Sequence, residues 1–492
     1  MSGAQAQQAA PAAGGMRRIP FPLESYQHPS KPLSSKHLLN WMAEEQPSDA
    51  RTQAALVPAP GLWLPDQFNG AFGTGPVHAM NLDMPGVGYF VSGNHAYGYS
   101  GTIWDMGPVG VASPAGGVNP DLIMAATIAV SPSAVVICVP PNAFTAAHAV
   151  GSTANQIGGD FPGANSVTYL GQYFIFSQEG YGESFFVSKI DDPTAFDALD
   201  FASLEAGSNI MLRAITHGGE LWLAGRSGFE IWYESGDADF PFRRRQTGGV
   251  IEYGVATPKS IAQIDGSVFW LDKDGIVFRS VGYTPKRIST HGIEAIIASY
   301  GISASLKAQG MAYMQAGHSF YVLTIENDRT LVYDCNTQFW HERSSQADGV
   351  GPWRGNCTGS VENLVYVGDK TAGNVYLADP AVTTDAGVAV LHQATLPPIW
   401  AGTRRAFCSR LEVEMEVGTA RSTSSMTLEW SDDGGINWNG GPRTIPAAAF
   451  GQTRTRMVAT RLGSFRQRVF RLSSLDATTL YAVDADISGG SS

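Results

Sequence analysis

The most regular feature of the chain is a pair of short apolar runs separated by a turn, repeated many times. Each run has about four to six residues rich in aromatic and β-branched side chains, bounded by Gly, Asp, Asn or Ser, which is typical of a β-hairpin. A bulky aromatic residue marks the centre of the first run in the five clearest copies, namely Phe174, Trp222, Trp270, Tyr321 and Tyr366. Successive markers are 48, 48, 51 and 45 residues apart.

Two weaker copies precede these hairpins, at Phe90 and Ile137, and continue the series with gaps of 47 and 37 residues. A period of about 40–50 residues in β-rich sequence is that of a four-stranded propeller blade. One blade cannot bury both faces of its sheet, whereas a radial array of blades covers them all. The spacing therefore predicts a six- or seven-bladed β-propeller over residues 66–390. Unrelated hairpins in stacked sandwiches are the alternative that the pattern leaves open.

One segment departs from the β pattern. Ile293, Ile296, Ile297 and Tyr300 follow the i, i+3, i+4, i+7 spacing of one helix face. This spacing predicts a single helix within residues 291–309, packed against the propeller.

The pattern changes again near residue 391. Residues 411–417 alternate strictly between apolar and acidic side chains, as in a strand with one buried and one solvated face. Residues 426–430, 469–472 and 479–487 are similar strand candidates. We therefore expect an all-β protein in which a C-terminal β-sandwich, residues 391–490, follows the propeller. Residues 1–15 are a low-complexity tail, and residues 16–65 are expected to form an extended N-terminal arm.

Composition adds an electrostatic asymmetry to this picture. The 492 residues include only 15% charged side chains and carry a formal net charge of −12, which argues against a protein that grips nucleic acid phosphates. An acidic protein can still surround DNA without holding it. Residues 401–475 are the exception, because they contain eleven Arg, no Lys and six acids. The acidic and basic portions are candidates to complement one another between subunits.

Candidate chemistry is sparse. The four cysteines are far apart in sequence and form no CxxC pair, which favours reduced thiols over a disulfide framework or a zinc site. The ten histidines show no metal-ligand spacing, and neither a phosphate-binding loop nor a GxSxG elbow is present. We therefore predict no metal, no cofactor and no enzymatic activity. No apolar run is long enough to cross a bilayer, so membrane insertion is not expected.

One short motif predicts a specific turn. Ser431, Asp433, Gly435 and Trp438 match the Asp-box pattern S-x-D-x-G-x-x-W. In such a turn the Asp accepts from backbone N–H groups, glycine supplies a positive φ, and the Trp packs beneath. Asp boxes are familiar in sialidase-like propellers, where they are structural, so this motif predicts a stable turn and no catalysis.

Two groups of arginines are candidate interface residues. Arg243, Arg244 and Arg245 are consecutive, and their pattern fits either a contact with an anion or partner protein or a solvated turn. The second group lies in the C-terminal portion, where arginines alternate in part with small or apolar residues. Because few aromatic residues and no Lys accompany them, an interface-forming sheet is favoured over a nucleic-acid groove. The members singled out are Arg454, Arg456, Arg466 and Arg468.

Several ordered motifs resemble one known family. They are residues 38–45 (LLNWMAEE), 55–62 (ALVPAPGL), 221–236, 249–271, 331–340 (LVYDCNTQFW) and 428–439 (LEWSDDGGINWN). In this order they are similar to the tail-hub proteins of short-tailed bacteriophages, also called packaged-DNA stabilisation, head-to-tail joining or nozzle proteins. Each motif is short, and their shared order over residues 38–475 carries the resemblance.

The resemblance implies a structural virion protein of the phage tail, assembled in the host cytoplasm. It implies a homo-hexameric ring below the portal and the adaptor ring, which extends the DNA channel, retains packaged DNA and holds the tail needle, spikes or fibres. Genomic DNA would pass through the lumen without specific binding. Residues 1–36 lie outside the family motifs and are a candidate arm toward a neighbouring ring.

Two other classes of function remain open at this point. A glycan-binding or sialidase-like propeller should carry Asp boxes on successive blades, an arginine cluster and a Tyr–Glu pair. A monomeric scaffold propeller would bind peptides on one face.

Overall fold

The computed structural model describes most of the chain, with short gaps. The described ranges are 15–28, 30–47, 52, 54–82, 86–113, 119–180, 182–205, 209–237, 239–416, 424–448, 454–476 and 478–489. Residues 1–14, nearly all of the predicted low-complexity tail, lie outside them.

Seven successive antiparallel sheets, counted over the described residues, form a β-propeller. The strands of each blade are given in chain order, from the axis outward. Blade 1 contains Val77–Asn81, Gly88–Ser92, His95–Tyr99 and Ile103–Pro108; blade 2 contains Thr127–Val130, Ala134–Val139, Asn142–Ala147 and Asn155–Gln156; blade 3 contains Ala164–Leu170, Tyr173–Gln178, Ser184–Lys189 and Asp192–Ser203; and blade 4 contains Met211–His217, Glu220–Gly225, Phe229–Glu234 and Phe242–Arg244, with Val250–Ile251 beside its third strand. Blade 5 contains Ala262–Ile264, Ser267–Leu271, Val277–Val281 and Thr284–Arg287; blade 6 contains Gln309–Gln315, His318–Ile325, Arg329–Asp334 and Trp340–Arg343; and blade 7 contains Gly355–Val361, Leu364–Asp369 and Val375–Asp379.

The fourth strand of blade 7 comes from the N-terminal part of the chain. Gly61–Trp63 pairs antiparallel with Val375–Asp379, with Leu62 opposite Ala378. The propeller is therefore closed by a segment that precedes blade 1, and Thr384–Asp385 and Val388–Ala389 continue this sheet outward. The first strands of all seven blades surround a central axis.

The predicted repeat is confirmed, and the number of blades is seven. Each marker residue lies on the second strand of its blade, where the sheet is covered on both faces. Aromatic side chains fill the space between neighbouring blades: the Phe229 and Trp270 ring centroids are 4.9 Å apart, and those of Phe269 and Tyr321 are 5.1 Å apart. Burial of these rings is the main apolar contribution to blade packing.

The predicted single helix is wrong in its length. The structure has two helices, α1 at His291–Ser299 and α2 at Ile302–Leu306, because Gly301 between them has a φ of 81°. The apolar face of α1 nevertheless packs as predicted, since Ile293 and Ile297 are buried against blades 5 and 6. Short 3₁₀ turns occur at Asp66–Phe68, Pro120–Leu122 and Pro258–Ser260.

The C-terminal residues form a β-sandwich with help from the N-terminal segment. One sheet contains Gly15–Ile19, Trp41–Glu45, Ala54–Pro58, Ala406–Glu416, Arg454–Phe465 and Thr479–Gly489. The facing sheet contains Ser35–Leu39, with Tyr26–Gln27 beside it, His392–Thr395, Ile399–Trp400, Ser424–Ser431, Asn439–Ala448 and Gln467–Ser474. The alternating segment behaves as predicted, because Leu411, Val413 and Met415 are fully buried between the sheets.

The predicted N-terminal arm is built into both domains. Ser35–Leu39 pairs parallel with the outermost strand of blade 6, Trp340–Arg343, and antiparallel with His392–Thr395 of the sandwich. One sheet therefore continues from the propeller through this strand into the sandwich. The segment satisfies its backbone hydrogen bonds within its own chain, so it is not available as a free arm over this stretch.

Candidate functional site

The residues that join the two domains form a polar cluster, which we call the junction. Its members are Asn40, Trp41, Glu342, Arg343 and His392. Asn40 follows the shared strand with a φ of 54°, a conformation that Asn tolerates better than most residues. Its amide nitrogen donates to the carbonyls of Ser344 (2.9 Å) and Leu391 (2.8 Å). One buried side chain thus contacts the end of blade 6 and the start of the sandwich.

Two residues beside Asn40 extend the junction on the sandwich side. The indole of Trp41 is fully buried and donates to the carbonyl of Thr478 at 2.8 Å. Its ring lies 5.8 Å from that of His392, where burial lowers the pKa of the imidazole to about 4. His392 is therefore neutral at physiological pH and packs as a core residue.

Glu342 carries the negative charge of the junction. It accepts hydrogen bonds from Arg329 at 2.6 and 2.8 Å, and His37 Nε2 lies 3.3 Å away. Burial alone would raise the pKa of Glu342, but His37 and Arg329 outweigh it and lower the pKa to about 2. The carboxylate is thus ionised, and it ties the shared strand to blade 6.

Arg343 is buried on the other side of the same strand. Its guanidinium lies 4.1 Å from the centre of the Trp353 ring and donates to the Tyr313 hydroxyl and to the carbonyl of Pro60. The contact with Pro60 reaches the segment that closes blade 7. Most polar groups of the junction are paired, while Arg343 Nε and His392 Nδ1 are buried without a hydrogen-bond partner among the described residues.

The three consecutive arginines lie at the outer edge of blade 4, and each pairs with a different acid. Arg243 is exposed and contacts Asp237, Arg244 lies 2.9 Å from Glu205, and Arg245 lies 2.6 Å from Glu220. Arg245 also stacks on Tyr283, 4.6 Å from the ring centre. All three are therefore engaged within the chain, and Arg243 remains the most accessible.

Two of the C-terminal arginines face the acidic side of the alternating strand. Arg456 lies 3.2 Å from Glu412 and 3.1 Å from Glu414, while Arg454 is more exposed and lies 4.0 Å from Glu414. This arrangement is a cross-strand charge ladder on one face of the sandwich.

Arg466 and Arg468 differ sharply although they are two residues apart. Arg466 is exposed, and it forms no ion pair within the described ranges. Arg468 is 2% exposed, and its guanidinium binds both oxygens of Asp432 at 2.7 and 2.8 Å. Arg468 is therefore a core residue rather than part of an exposed interface, because the strand turns its side chain inward toward Phe465 and Phe470.

The Asp-box residues lie in the turn that follows Ser424–Ser431. Asp433 accepts from the backbone N–H groups of Ile436 (3.0 Å) and Asn437 (2.9 Å), and from the Ser431 hydroxyl (2.6 Å). Burial opposes ionisation, but these hydrogen bonds lower the pKa of Asp433 to about 2. Gly435, with a φ of 97°, donates to the Ser431 hydroxyl, while Trp438 lies beneath Arg471.

In the described part of the chain no group of three or more His, Cys, Asp or Glu is arranged to hold a metal ion. The four cysteines are free, and burial raises the pKa of Cys408 to about 11. Among the described residues, no helix is long and apolar enough to cross a bilayer.

The junction was not predicted from the sequence. Asn40 lies in one of the family-like motifs, but nothing in a single sequence shows that its partners are about 300 and 350 residues away. The available signal for the junction was the pair of charged neighbours Glu342 and Arg343, in a strand that ends with buried polar residues. Charged neighbours at the end of an otherwise apolar blade indicate a covered edge.

Comparison with solved structures returns many chains of low similarity. A computationally designed protein, Ika8, is 13% identical with a TM-score of 0.38, over 70% of this chain and 99% of that one. YCF48 bound to D1 peptide is 10% identical with a TM-score of 0.37, over 70% and 97%. The extracellular domain of the putative hybrid two-component system BT4673 from B. thetaiotaomicron is 9% identical with a TM-score of 0.42, over 81% and 47%. These values are too low to inform function, and a comparison with curated protein sequences returns no match.

Family models give a definite result. A model described as bacteriophage P22 Gp10, beta-propeller, matches residues 38–383, and one described as bacteriophage P22 Gp10, beta-sandwich, matches residues 392–488. Together they cover both domains in the order seen in the structure. The chain therefore belongs to the bacteriophage P22 Gp10 family of phage tail structural proteins.

Proposed function

We propose that six copies of this chain form a ring in the phage tail, below the portal and its adaptor ring. This ring extends the DNA channel, retains packaged DNA and anchors the tail needle, spikes or fibres. The observation that carries the proposal is the match of both domains to one family of tail proteins, over nearly the whole described chain. The role is mechanical rather than catalytic.

The coupling of the domains supports a mechanical role. A ring that holds a pressurised genome transmits force between the surfaces that contact its neighbours. The continuous sheet through Ser35–Leu39 and the buried contacts of Asn40 and Glu342 leave no free linker between propeller and sandwich. We infer that each subunit moves as one body in the ring.

The distribution of charge supports a position for the DNA path. Between Arg51 and Arg213 the sequence has twelve acids, one lysine and no arginine. This stretch contains all of blades 1 to 3. A surface with few cations and an excess of carboxylates repels phosphates and forms few contacts with them. We propose that blades 1 to 3 face the bore and that DNA slides past them without binding.

In this arrangement the basic portion of the chain forms the contacts between subunits. Arg466 is exposed, and Arg243 and Arg454 are accessible beside their partners, so they are available to acidic surfaces of a neighbouring copy. The four free thiols fit assembly in the reducing host cytoplasm.

Charge reversal in the proposed bore tests the assignment. Asp160→Lys combined with Asp197→Lys places two cations on exposed positions, one in the loop between blades 2 and 3 and one in blade 3. We expect slower DNA ejection from triggered particles, measured by dye fluorescence, and the delay should shrink at high salt because phosphate contacts are screened. The matched control, Asp274→Lys with Glu362→Lys, changes exposed acids of blades 5 and 7 and should eject normally. Equal rates for both double variants would reject the assignment of blades 1 to 3.

Native mass spectrometry of the purified chain and of tail complexes tests the ring itself. A hexamer in tail complexes supports the proposal. A chain that is monomeric in solution and absent from purified particles rejects it.

A further inference from the structure

A cavity of about 610 Å³ lies on the axis of the propeller. The first strands of all seven blades line it, and most of the lining residues are small or apolar. Its volume lies within the range of small-molecule sites, roughly 300–1,000 Å³.

The charges on the cavity wall are opposite to those of the surrounding domain. Residues 66–390 contain 31 Asp or Glu, 16 Lys or Arg and seven His. The described residues that line the cavity nevertheless include no Asp or Glu, while three basic residues, His78, Arg213 and Lys259, line it. The sign of the charge on the cavity wall therefore differs from the net charge of the domain around it.

The three basic residues lie at one end of the cavity. His78 and Arg213 are near the starts of the inner strands of blades 1 and 4, and Lys259 is in the turn just before the inner strand of blade 5. Because the blades are related by rotation about the axis, the starts of inner strands share one end. The contacts agree: Arg213 donates to the carbonyls of Pro258 (3.2 Å) and Ile261 (3.3 Å), on either side of Lys259.

The electrostatics of the three groups are consistent with a shared, partly dry space. Burial, followed by the nearby charge of Lys259, lowers the pKa of His78. Burial lowers the pKa of Arg213 to about 10, so its guanidinium stays charged at neutral pH. Within the described residues Arg213 forms no ion pair with a carboxylate, and its hydrogen bonds to carbonyls leave its positive charge without a counter-charge.

We infer that this end of the axial cavity binds an oxyanion of the phosphate type, held by Arg213, Lys259 and His78. Two cations, Arg213 and Lys259, and the imidazole of His78 approach from three blades, and this arrangement suits a tetrahedral, multiply charged anion better than a planar carboxylate. The rest of the cavity has room for an organic group attached to the phosphate. The site is independent of the proposed ring, because it lies inside a single propeller.

Isothermal titration calorimetry with inorganic phosphate at constant ionic strength tests the inference on the full-length chain. We expect saturable binding that Arg213→Gln weakens by at least about tenfold, as for loss of one charge-assisted hydrogen bond. Lys259→Gln should also weaken binding, and it keeps the test usable if Arg213→Gln does not fold. Arg226→Gln is the matched control, because Arg226 also donates to a nearby backbone carbonyl, that of Ala256, but does not line the cavity.

A second titration with adenosine monophosphate distinguishes the source of the phosphate. Tighter binding than inorganic phosphate identifies a phosphomonoester site, and equal or weaker binding identifies a site for the free ion. No saturable heat with either probe overturns the inference. Equal weakening by Arg213→Gln and Arg226→Gln overturns it as well.

Discussion

The side chain of Asn40 forms a reciprocal pair of hydrogen bonds with the backbone of Ser344. Its amide nitrogen donates to the Ser344 carbonyl at 2.9 Å, and its oxygen accepts from the Ser344 N–H at 3.1 Å. Because the same amide also donates to Leu391, one residue near the N-terminus connects the end of blade 6 to the start of the sandwich. The N-terminal segment is thus the part of the chain that makes two domains into one body.

Asn40→Ala tests this connection. The substitution removes three buried hydrogen bonds and places Ala at a φ of 54°, so we expect a loss of about 3 kcal/mol of stability. Uncoupled domains should also unfold separately. Urea unfolding followed by tryptophan fluorescence and by circular dichroism should therefore change from coincident to separate transitions.

Asn155→Ala serves as the control for this substitution. Asn155 is exposed and its amide bonds only to Thr153, two residues away, so its loss should change stability by less than about 0.5 kcal/mol. If Asn40→Ala unfolds in one step with the stability of the control, the connection is not important for coupling.

The ion pair of Glu342 predicts a specific dependence on pH. Its pKa is about 2 in the folded chain against an ordinary 4.5, so ionised Glu342 stabilises the fold fully above pH 4.5. This contribution is lost as the pH falls from 4.5 toward 2. Glu342→Gln leaves Arg329, whose side chain is 27% exposed, without its counter-charge and should cost about 2 kcal/mol at pH 7.

The difference between wild type and Glu342→Gln should therefore shrink when unfolding is measured at pH 3. Titrating groups that do not contact Glu342 contribute equally to both proteins and cancel in the difference. Glu362→Gln, at an exposed position, should show no difference at either pH. A cost for Glu342→Gln that is the same at pH 7 and pH 3 would contradict the role assigned to the carboxylate.

Arg466 and Arg468 should respond to substitution in opposite ways. Asp432→Asn removes the counter-charge of buried Arg468 and should destabilise the chain by about 2 kcal/mol, less than a fully buried pair because Asp432 is 33% exposed. Arg466→Glu should leave thermal unfolding nearly unchanged but weaken ring assembly in native mass spectra. An assembly defect in Asp432→Asn at unchanged stability would reverse these assignments.

Asp433→Ala tests the role of the Asp-box turn. The carboxylate accepts from two backbone N–H groups, so its loss should lower stability by about 1 kcal/mol, by analogy with the loss of a capping side chain. Because the pKa of Asp433 is about 2, the cost should be constant between pH 5 and 8. Melting temperatures across this range measure it, and DNA retention by particles that carry the variant should be unaffected. A retention defect at unchanged stability would show that the turn contacts a partner.

Much of the fold was predictable because its signal is local. An aromatic-centred hairpin every 45 residues or so is readable along the chain, and the alternation of Leu411, Val413 and Met415 shows a two-faced strand in the same way. The break at Gly301 was missed because the apolar spacing continues up to Tyr300 and a single glycine is tolerated in many helices.

The features that could not be predicted depend on pairing between distant segments. The closing strand Gly61–Trp63 is short, and only the register with Val375–Asp379 identifies it as part of blade 7. The burial of Arg468 could not be predicted for the same reason, because its neighbours in sequence are indistinguishable from those of exposed Arg466. The basic end of the axial cavity brings together His78, Arg213 and Lys259, which are separated by 135 and 46 positions and which no spacing rule connects.

The proposed ring is tested by cryo-electron microscopy of the intact particle, focused on the tail below the portal. We expect six copies of this chain in a closed ring, each with propeller and sandwich in the relative arrangement described above and with blades 1 to 3 toward the DNA. A ring whose bore is lined by the arginine-rich sandwich, or a particle without this chain in the tail, would contradict it.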